Sequence, residues 1–110
     1  MENRQKVLNM IGLATKAGKT VSGEFSTEKA VKTGKAWLVI VSEEASDNTR
    51  KMFTNMCTYY HVPVCFFGKK EELGHSMGKE FRASLAITDE WFAKTLVKQM
   101  NVNGCSKYES

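Results

Sequence analysis

The amino-acid sequence predicts an α/β fold, a three-layer α/β/α sandwich with a small mixed four-stranded sheet. Three observations carry that prediction. Apolar runs of strand length alternate with stretches of helical periodicity along the chain, the pattern of layered α/β domains. Residues 36–42 read Ala-Trp-Leu-Val-Ile-Val-Ser, the β-branched, uninterrupted apolar run of a strand covered on both faces. Pro63, the only proline, separates a helical stripe from a second apolar run, which argues against a purely helical bundle.

Taken in order, Val7, Ile11 and Ala14 recur at helical spacing with Met10, Leu13 and Ala17 beside them, and Gly18 supplies a left-handed stop. Residues 20–22 form a short extended piece, and a second helix runs from near Gly23 to Gly34. After the strand at 36–42, Ser46 and Asp47 are competent N-caps for a third helix. Its apolar stripe is Phe53, Met56, Cys57 and Tyr60, the i, i+3, i+4, i+7 set. Val64, Cys65, Phe66 and Phe67 make another core strand, closed by Gly68, and a helical turn follows over 70–74. Residues 83–88 are the fourth strand, and Asp89 caps a last helix with Phe92, Leu96 and Met100 along one side. The expectation is one domain over residues 1–100 and a disordered polar tail over 101–110.

At 110 residues, with 42% hydrophobic and 25% charged side chains, the chain has the size and composition of one globular domain, which excludes fibrous and disordered classes. No stretch approaches the ~18 uninterrupted apolar residues of a membrane span. The polar opening from Met1 to Lys6 has no apolar segment behind it, so no signal peptide is expected, and a soluble cytoplasmic protein without a membrane partner is. Cys57, Cys65 and Cys105 are odd in number and lack C-x-x-C spacing, so they read as reduced thiols. The net charge is +4, and the whole excess lies in residues 1–35, with seven basic and three acidic side chains. Such a field attracts phosphates or anionic surfaces, and a solubilising surface accounts for it equally well.

Catalytic and metal chemistry find little support. Cys57 and His61 stand four apart on one helix, but a metal site needs three or four ligands and Cys57 lies on the apolar stripe. A reactive Cys–His pair needs an exposed thiol of lowered pKa, and nothing argues for one. Gly74-x-x-x-Gly78 lacks the G-K-[ST] signature of a phosphate loop; close backbone packing accounts better for those glycines. The reading is therefore a non-enzyme with no metal and no cofactor.

The second helix offers more. At ~100° per residue, Thr27, Ala30, Val31 and Gly34 gather on a core side, and Phe25, Glu28, Lys29 and Lys32 gather opposite. An aromatic ring on a face that should be solvated, beside two lysines, suits stacking on an unpaired base while the lysines follow phosphates. Gly23 permits close backbone approach, and the helix N-terminus adds N–H donors. The alternative is that Phe25 folds back as a hydrophobic staple against a neighbouring loop.

These residues carry a family resemblance. Ile11-Gly12-Leu13-Ala14, Lys16-Ala17-Gly18-Lys19 and Ser22-Gly23-Glu24 open it. Lys29-Ala30-Val31, Gly34-Lys35-Ala36, Leu38-Val39-Ile40, Ser42-Glu43-Glu44-Ala45-Ser46 and Asn48-Thr49 continue it. Val62-Pro63, Leu73-Gly74, Met77-Gly78-Lys79 and Ala86-Ile87-Thr88-Asp89 close it. In this order and spacing, over about residues 5–98, the chain resembles the YlxQ-like bacterial branch of the ribosomal protein L-seven-Ae/L-thirty-e superfamily.

The resemblance implies an α/β/α fold and a non-catalytic RNA-binding role. Relatives clamp kink-turn RNA with two elements. The glycine-led start of the second helix reads sheared G·A pairs through a Gly-x-Asn-Glu-x-x-Lys pattern, which falls here on Gly23, Glu24, Phe25, Ser26 and Lys29. The loop after the Leu-Gly-x-x-x-Gly turn covers flipped-out or stacked nucleotides and falls on Gly78, Lys79, Glu80, Phe81 and Arg82. Phe25-Ser26 stands where strong kink-turn readers have Asn-Glu. Phenylalanine cannot hydrogen-bond base edges, so that readout is lost or replaced by stacking.

The expected interface therefore joins Lys16, Lys19, Lys29, Lys32, Lys35, Lys79 and Arg82 as phosphate contacts with Phe25 and Phe81 as stacking rings. The expected partner is ribosomal or other structured RNA, together with ribosome or translation proteins. An interaction adaptor that keeps the fold without RNA readout is the alternative, since an exposed aromatic also anchors protein partners.

Overall fold

The central strand explains the architecture. The computed structural model describes residues 2–100 and 105–106, with side chains over 4–100. The elements are α1 (Glu2–Lys16), β1 (Thr20–Ser22), α2 (Glu24–Lys32), β2 (Leu38–Val41), α3 (Asp47–Tyr60), β3 (Val64–Phe66), α4 (Lys70–Ser76), β4 (Ser84–Ile87), α5 (Glu90–Met100) and β5 (Cys105–Ser106). All four residues of β2 are fully buried. Leu38 and Ile40 belong to one core with Val7, Ile11, Leu73, Leu85 and Leu96, whereas Val39 and Val41 belong to another with Val31, Phe53, Cys57 and Val64. Side chains alternate across a strand, so this split puts α1, α4 and α5 on one face and α2 and α3 on the other. Covering both faces is what an uninterrupted apolar run demands.

The sheet order is β1-β4-β2-β3-β5. β2 pairs parallel with β3 and antiparallel with β4, and β1 pairs antiparallel with β4. This is the expected mixed four-stranded sheet, extended on the β3 edge by two residues of β5. Pairing register sets Thr20, Ile87 and Leu38 side by side at one end, and Ser22, Ser84 and Val41 near the other.

Local chemistry fixes the helix ends. Ser46 caps α3, its Oγ accepting from the Thr49 N–H at 3.2 Å, and the Asp89 carboxylate accepts from the Phe92 N–H at 2.9 Å. α3 stops at His61, left-handed at φ 61°, and the Val62 N–H reaches back to the Cys57 carbonyl at 2.9 Å. Val62 is buried behind it, the apolar contact typical of such ends.

Two expectations change. Tyr60 is exposed where the α3 stripe predicted core; it is the last residue of α3, directly before the chain turns at His61. Cys65 is disulfide-bonded, not a reduced thiol. Strand register sets Cys105 opposite it, a juxtaposition that spacing along the sequence does not encode. Cys57 is free and buried. The tail expected to be disordered over 101–110 falls outside the described residues apart from β5. Among the described residues no helix is long and apolar enough to cross a membrane.

Candidate nucleic-acid interface

Gly23 sets the start of α2. Its φ of 93° and ψ of 157° suit glycine alone. Its N–H donates to the Ser84 carbonyl at 3.0 Å, and its own carbonyl accepts from Thr27 at 2.9 Å, the first bond of the helical ladder. The N–H groups of Glu24, Phe25 and Ser26 precede that ladder, and no side chain among the described residues caps them. They leave a positive helix end facing outward. Thr27, Ala30 and Val31 are buried against the sheet, as the helical wheel predicts. Phe25 is 76% exposed. A staple would bury that ring, so the folded-back alternative is not the arrangement adopted.

The second segment is held against the first. Gly78 turns the chain at φ 73°, and the Lys79 N–H returns to the Gly74 carbonyl at 2.7 Å. A Cβ on Gly74 would stand 2.6 Å from the Glu80 carbonyl carbon and 2.8 Å from the Phe81 nitrogen, so α4 needs glycine there for the loop to lie on it. Close packing is thus the role of Gly74. Lys79, Glu80 and Phe81 are exposed. Arg82 is only half-exposed, and it acts as a brace. Its Nε donates to Ser22 Oγ at 2.9 Å, its guanidinium also reaches the Phe81 carbonyl at 2.7 Å, and its backbone N–H bonds to Lys70 at 3.1 Å. Ser22 adjoins Gly23, so one side chain ties the 78–82 loop to the start of α2.

The lysines divide three ways. Lys29 and Lys35 line, with Phe25 and Ser26, a groove of about 270 Å³ floored by Val21 and Thr88. Lys19 meets the groove through its backbone, its carbonyl accepting from the N–H of the lining residue Thr88 at 2.8 Å. Lys32 is held by Glu28 at 2.8 Å, an i, i+4 pair whose hydrogen bond raises the lysine pKa. Lys16 lies elsewhere, in the α1–α4 groove with Leu13, Glu72 and His75. The structure therefore brings together Lys19, Gly23, Glu24, Phe25, Ser26, Lys29, Lys35 and the 78–82 loop; it diverts Lys32 and leaves Lys16 apart. Sequence reasoning missed the bracing role of Arg82. A phosphate contact and a tether need the same side chain, and the tether's partner, Ser22, is 60 residues distant.

The described residues contain no group of three or more His, Cys, Asp and Glu placed to hold a metal. Burial pushes the Cys57 thiol up to about 12, the opposite of an activated nucleophile.

The family model described as ribosomal protein L7Ae/L30e/S12e/Gadd45 matches residues 5–97. The chain belongs to the L7Ae/L30e/S12e/Gadd45 family. Two relatives of this family member are named RNA-binding protein YlxQ. The one from Bacillus subtilis (strain 168) is 41% identical over 92 residues, covering 84% of this chain and 92% of the relative. The one from Enterococcus faecium is 40% identical over 92 residues, 84% of this chain and 88% of the relative. Among solved structures, a protein of unknown function from Bacillus halodurans superposes with a TM-score of 0.85 at 33% identity, over 87% of this chain and 97% of that one. The Giardia lamblia 15.5kD RNA binding protein gives 0.78 at 22% identity, over 93% and 90% of the two chains, which is a likeness of fold.

Proposed function

We propose that this L7Ae-family chain is a non-catalytic RNA-binding protein that recognises structured RNA, kink-turn or loop-containing, in the cytoplasm and in association with the ribosome or translation proteins. The observation that carries the reading is the junction of two segments: the uncapped start of α2 and the 78–82 loop, braced together by Arg82 on Ser22 and each presenting an exposed phenylalanine. In this reading backbone N–H groups and Lys29, Lys35 and Lys79 receive phosphates, and Phe25 and Phe81 stack on unpaired bases. The relatives named as RNA-binding proteins support the same reading. Phe25 and Ser26 supply stacking and one hydroxyl at the two positions where an Asn-Glu pair would read base edges, which favours unpaired nucleotides over a specific pair.

Filter binding with a kink-turn hairpin and a plain duplex tests it. Three phosphate-contacting lysines give a slope of log affinity against log salt of about −2 to −3. Phe25→Ala weakens hairpin binding by about 1–3 kcal/mol and leaves duplex binding nearly unchanged. A flat salt response, or equal losses on both RNAs, overturns the assignment. Retention of a protein partner after nuclease treatment, without RNA affinity, assigns the surface to an adaptor.

A further inference from the structure

Three exposed aromatics cluster at the far end of α2, outside the junction described above. Trp37, just before β2, is 48% exposed; Tyr59 and Tyr60, closing α3, are 76% and 39% exposed. Single exposed rings are ordinary, but a cluster is not. The Trp37 backbone is fixed by its N–H donating to the Ile87 carbonyl at 2.8 Å. Tyr60 stands edge-on to Tyr59, with centroids 4.9 Å apart and planes at 78°. Trp37, Tyr60, His61 and Pro63 line a groove of about 280 Å³. His61 holds the left-handed conformation glycine would take without strain, and its imidazole sits exposed at the rim.

This groove adjoins the Phe25 groove. The turn between α2 and β2 is a ridge shared by both: Thr33 and Lys35 line the one, Gly34 and Ala36 the other. None of the residues lining either groove is acidic. α2, nine residues and so about 14 Å long, carries Phe25 and Lys29 toward this ridge. Aromatic rings together with lysines, in two adjoining grooves whose linings hold no carboxylate, suit a flexible polyanion with flat bases.

We propose that the Trp37–Tyr60–His61 groove is a second stacking site, which holds a single-stranded RNA extension running along α2 from the junction and over Lys35. The proposal rests on the RNA-binding reading and adds a site to it. Trp37 and Tyr60 take successive bases by their faces, with little dependence on sequence, and Lys35 meets the phosphate between the two grooves.

The test uses a kink-turn hairpin, the same hairpin carrying a single-stranded oligouridine tail at either end in turn, and oligouridine alone. In the wild type a tail tightens binding about tenfold. Trp37→Ala with Tyr60→Ala abolishes that gain and leaves tailless hairpin binding unchanged. The only other tryptophan is Trp91, so in Trp91→Phe the emission reports Trp37 alone and is quenched by oligouridine. That signal needs no truncated side chain, and Trp37→Phe, which keeps a ring, retains most of the gain. A tail without effect, an equal gain in the double variant, or unquenched Trp37 emission overturns the proposal. So does a proline-rich peptide that quenches Trp37 where oligouridine does not. If the wild type ignores the hairpin yet oligouridine quenches Trp37, the junction reading falls and the second site stands. A bound hairpin indifferent to its tail gives the reverse.

Discussion

Replacing Gly74 by alanine separates two physical effects of opposite sign. In an isolated helix the change would stabilise by about 1 kcal/mol, through propensity alone. Here the new Cβ would lie 2.6 Å from the Glu80 carbonyl carbon and 2.8 Å from the Phe81 nitrogen, both backbone atoms that no rotamer change can clear. Relief to ordinary contact at about 3.5–4.0 Å requires the 79–82 loop to lift by about 1 Å. That movement strains the Lys79 to Gly74 bond at 2.7 Å, the Arg82 to Lys70 bond at 3.1 Å and the Arg82 brace on Ser22 at 2.9 Å. Backbone overpacking belongs at the upper end of the range, about 3 kcal/mol. Set against the propensity gain, a net loss of about 2 kcal/mol remains, or a Tm lower by about 8 °C. Thermal unfolding measures it, and hairpin affinity measured well below the transition reports whether the lifted loop still binds. The expected result is a lower Tm together with weaker binding. A rise in Tm with unchanged affinity would refute the argument that the loop lies on α4 at this distance.

The remaining expectations concern charge, capping and titration. Glu28→Gln releases Lys32 from its 2.8 Å pair and removes an acid from the RNA-facing side, so affinity rises and the salt slope steepens by about 0.7; an unchanged slope means Lys32 never meets phosphate. Ser46→Ala removes the cap of α3 and costs about 1 kcal/mol in urea unfolding, with no change in RNA affinity. The Cys57 thiol is raised by burial from 9.0 to about 12. The unfolded chain therefore loses that proton first, and its stabilising contribution is lost as pH rises from about 9 to 12; Cys57→Ala flattens the alkaline limb of stability measured against pH. Glu72 is held below its ordinary value first by the Arg4 hydrogen bond, so its contribution is present above the usual carboxylate range and lost on acidification through it. Arg4→Ala weakens that acid dependence.

Much of the fold is legible because single residues carry its boundaries. Ser46 and Asp89 cap as their chemistry dictates, and Gly18, Gly23 and Gly34 mark positive-φ positions. The doubly covered β2 announces itself as an unbroken apolar run. Tyr60 misleads because a helical stripe shows which side faces inward, not how far along the helix that side stays covered. β5 and the bonded Cys65 escape because two residues have no periodicity, and register relates positions far apart in sequence. In the candidate site, exposure of Phe25 follows from its angle on α2. The fates of Lys32 and Arg82 do not follow from that angle, since both depend on which partner is within reach. Glu28, four residues before Lys32, was a visible partner; Ser22 became one for Arg82 only through the β1–β4 pairing.

That pairing also sets when the interface comes into existence. Ser22 and Arg82 are 60 residues apart, and among the described residues the three-residue β1 joins the sheet solely through β4. Closing so long a loop costs entropy before any contact repays it, so β1–β4 belongs to the slow, non-local part of folding. A nascent chain that has made only α1 through β3 owns Phe25 and Lys29 but no braced surface on which to use them. RNA that binds only the completed junction adds its binding free energy to the stability of the whole fold. The ligand thereby rewards the final step of assembly.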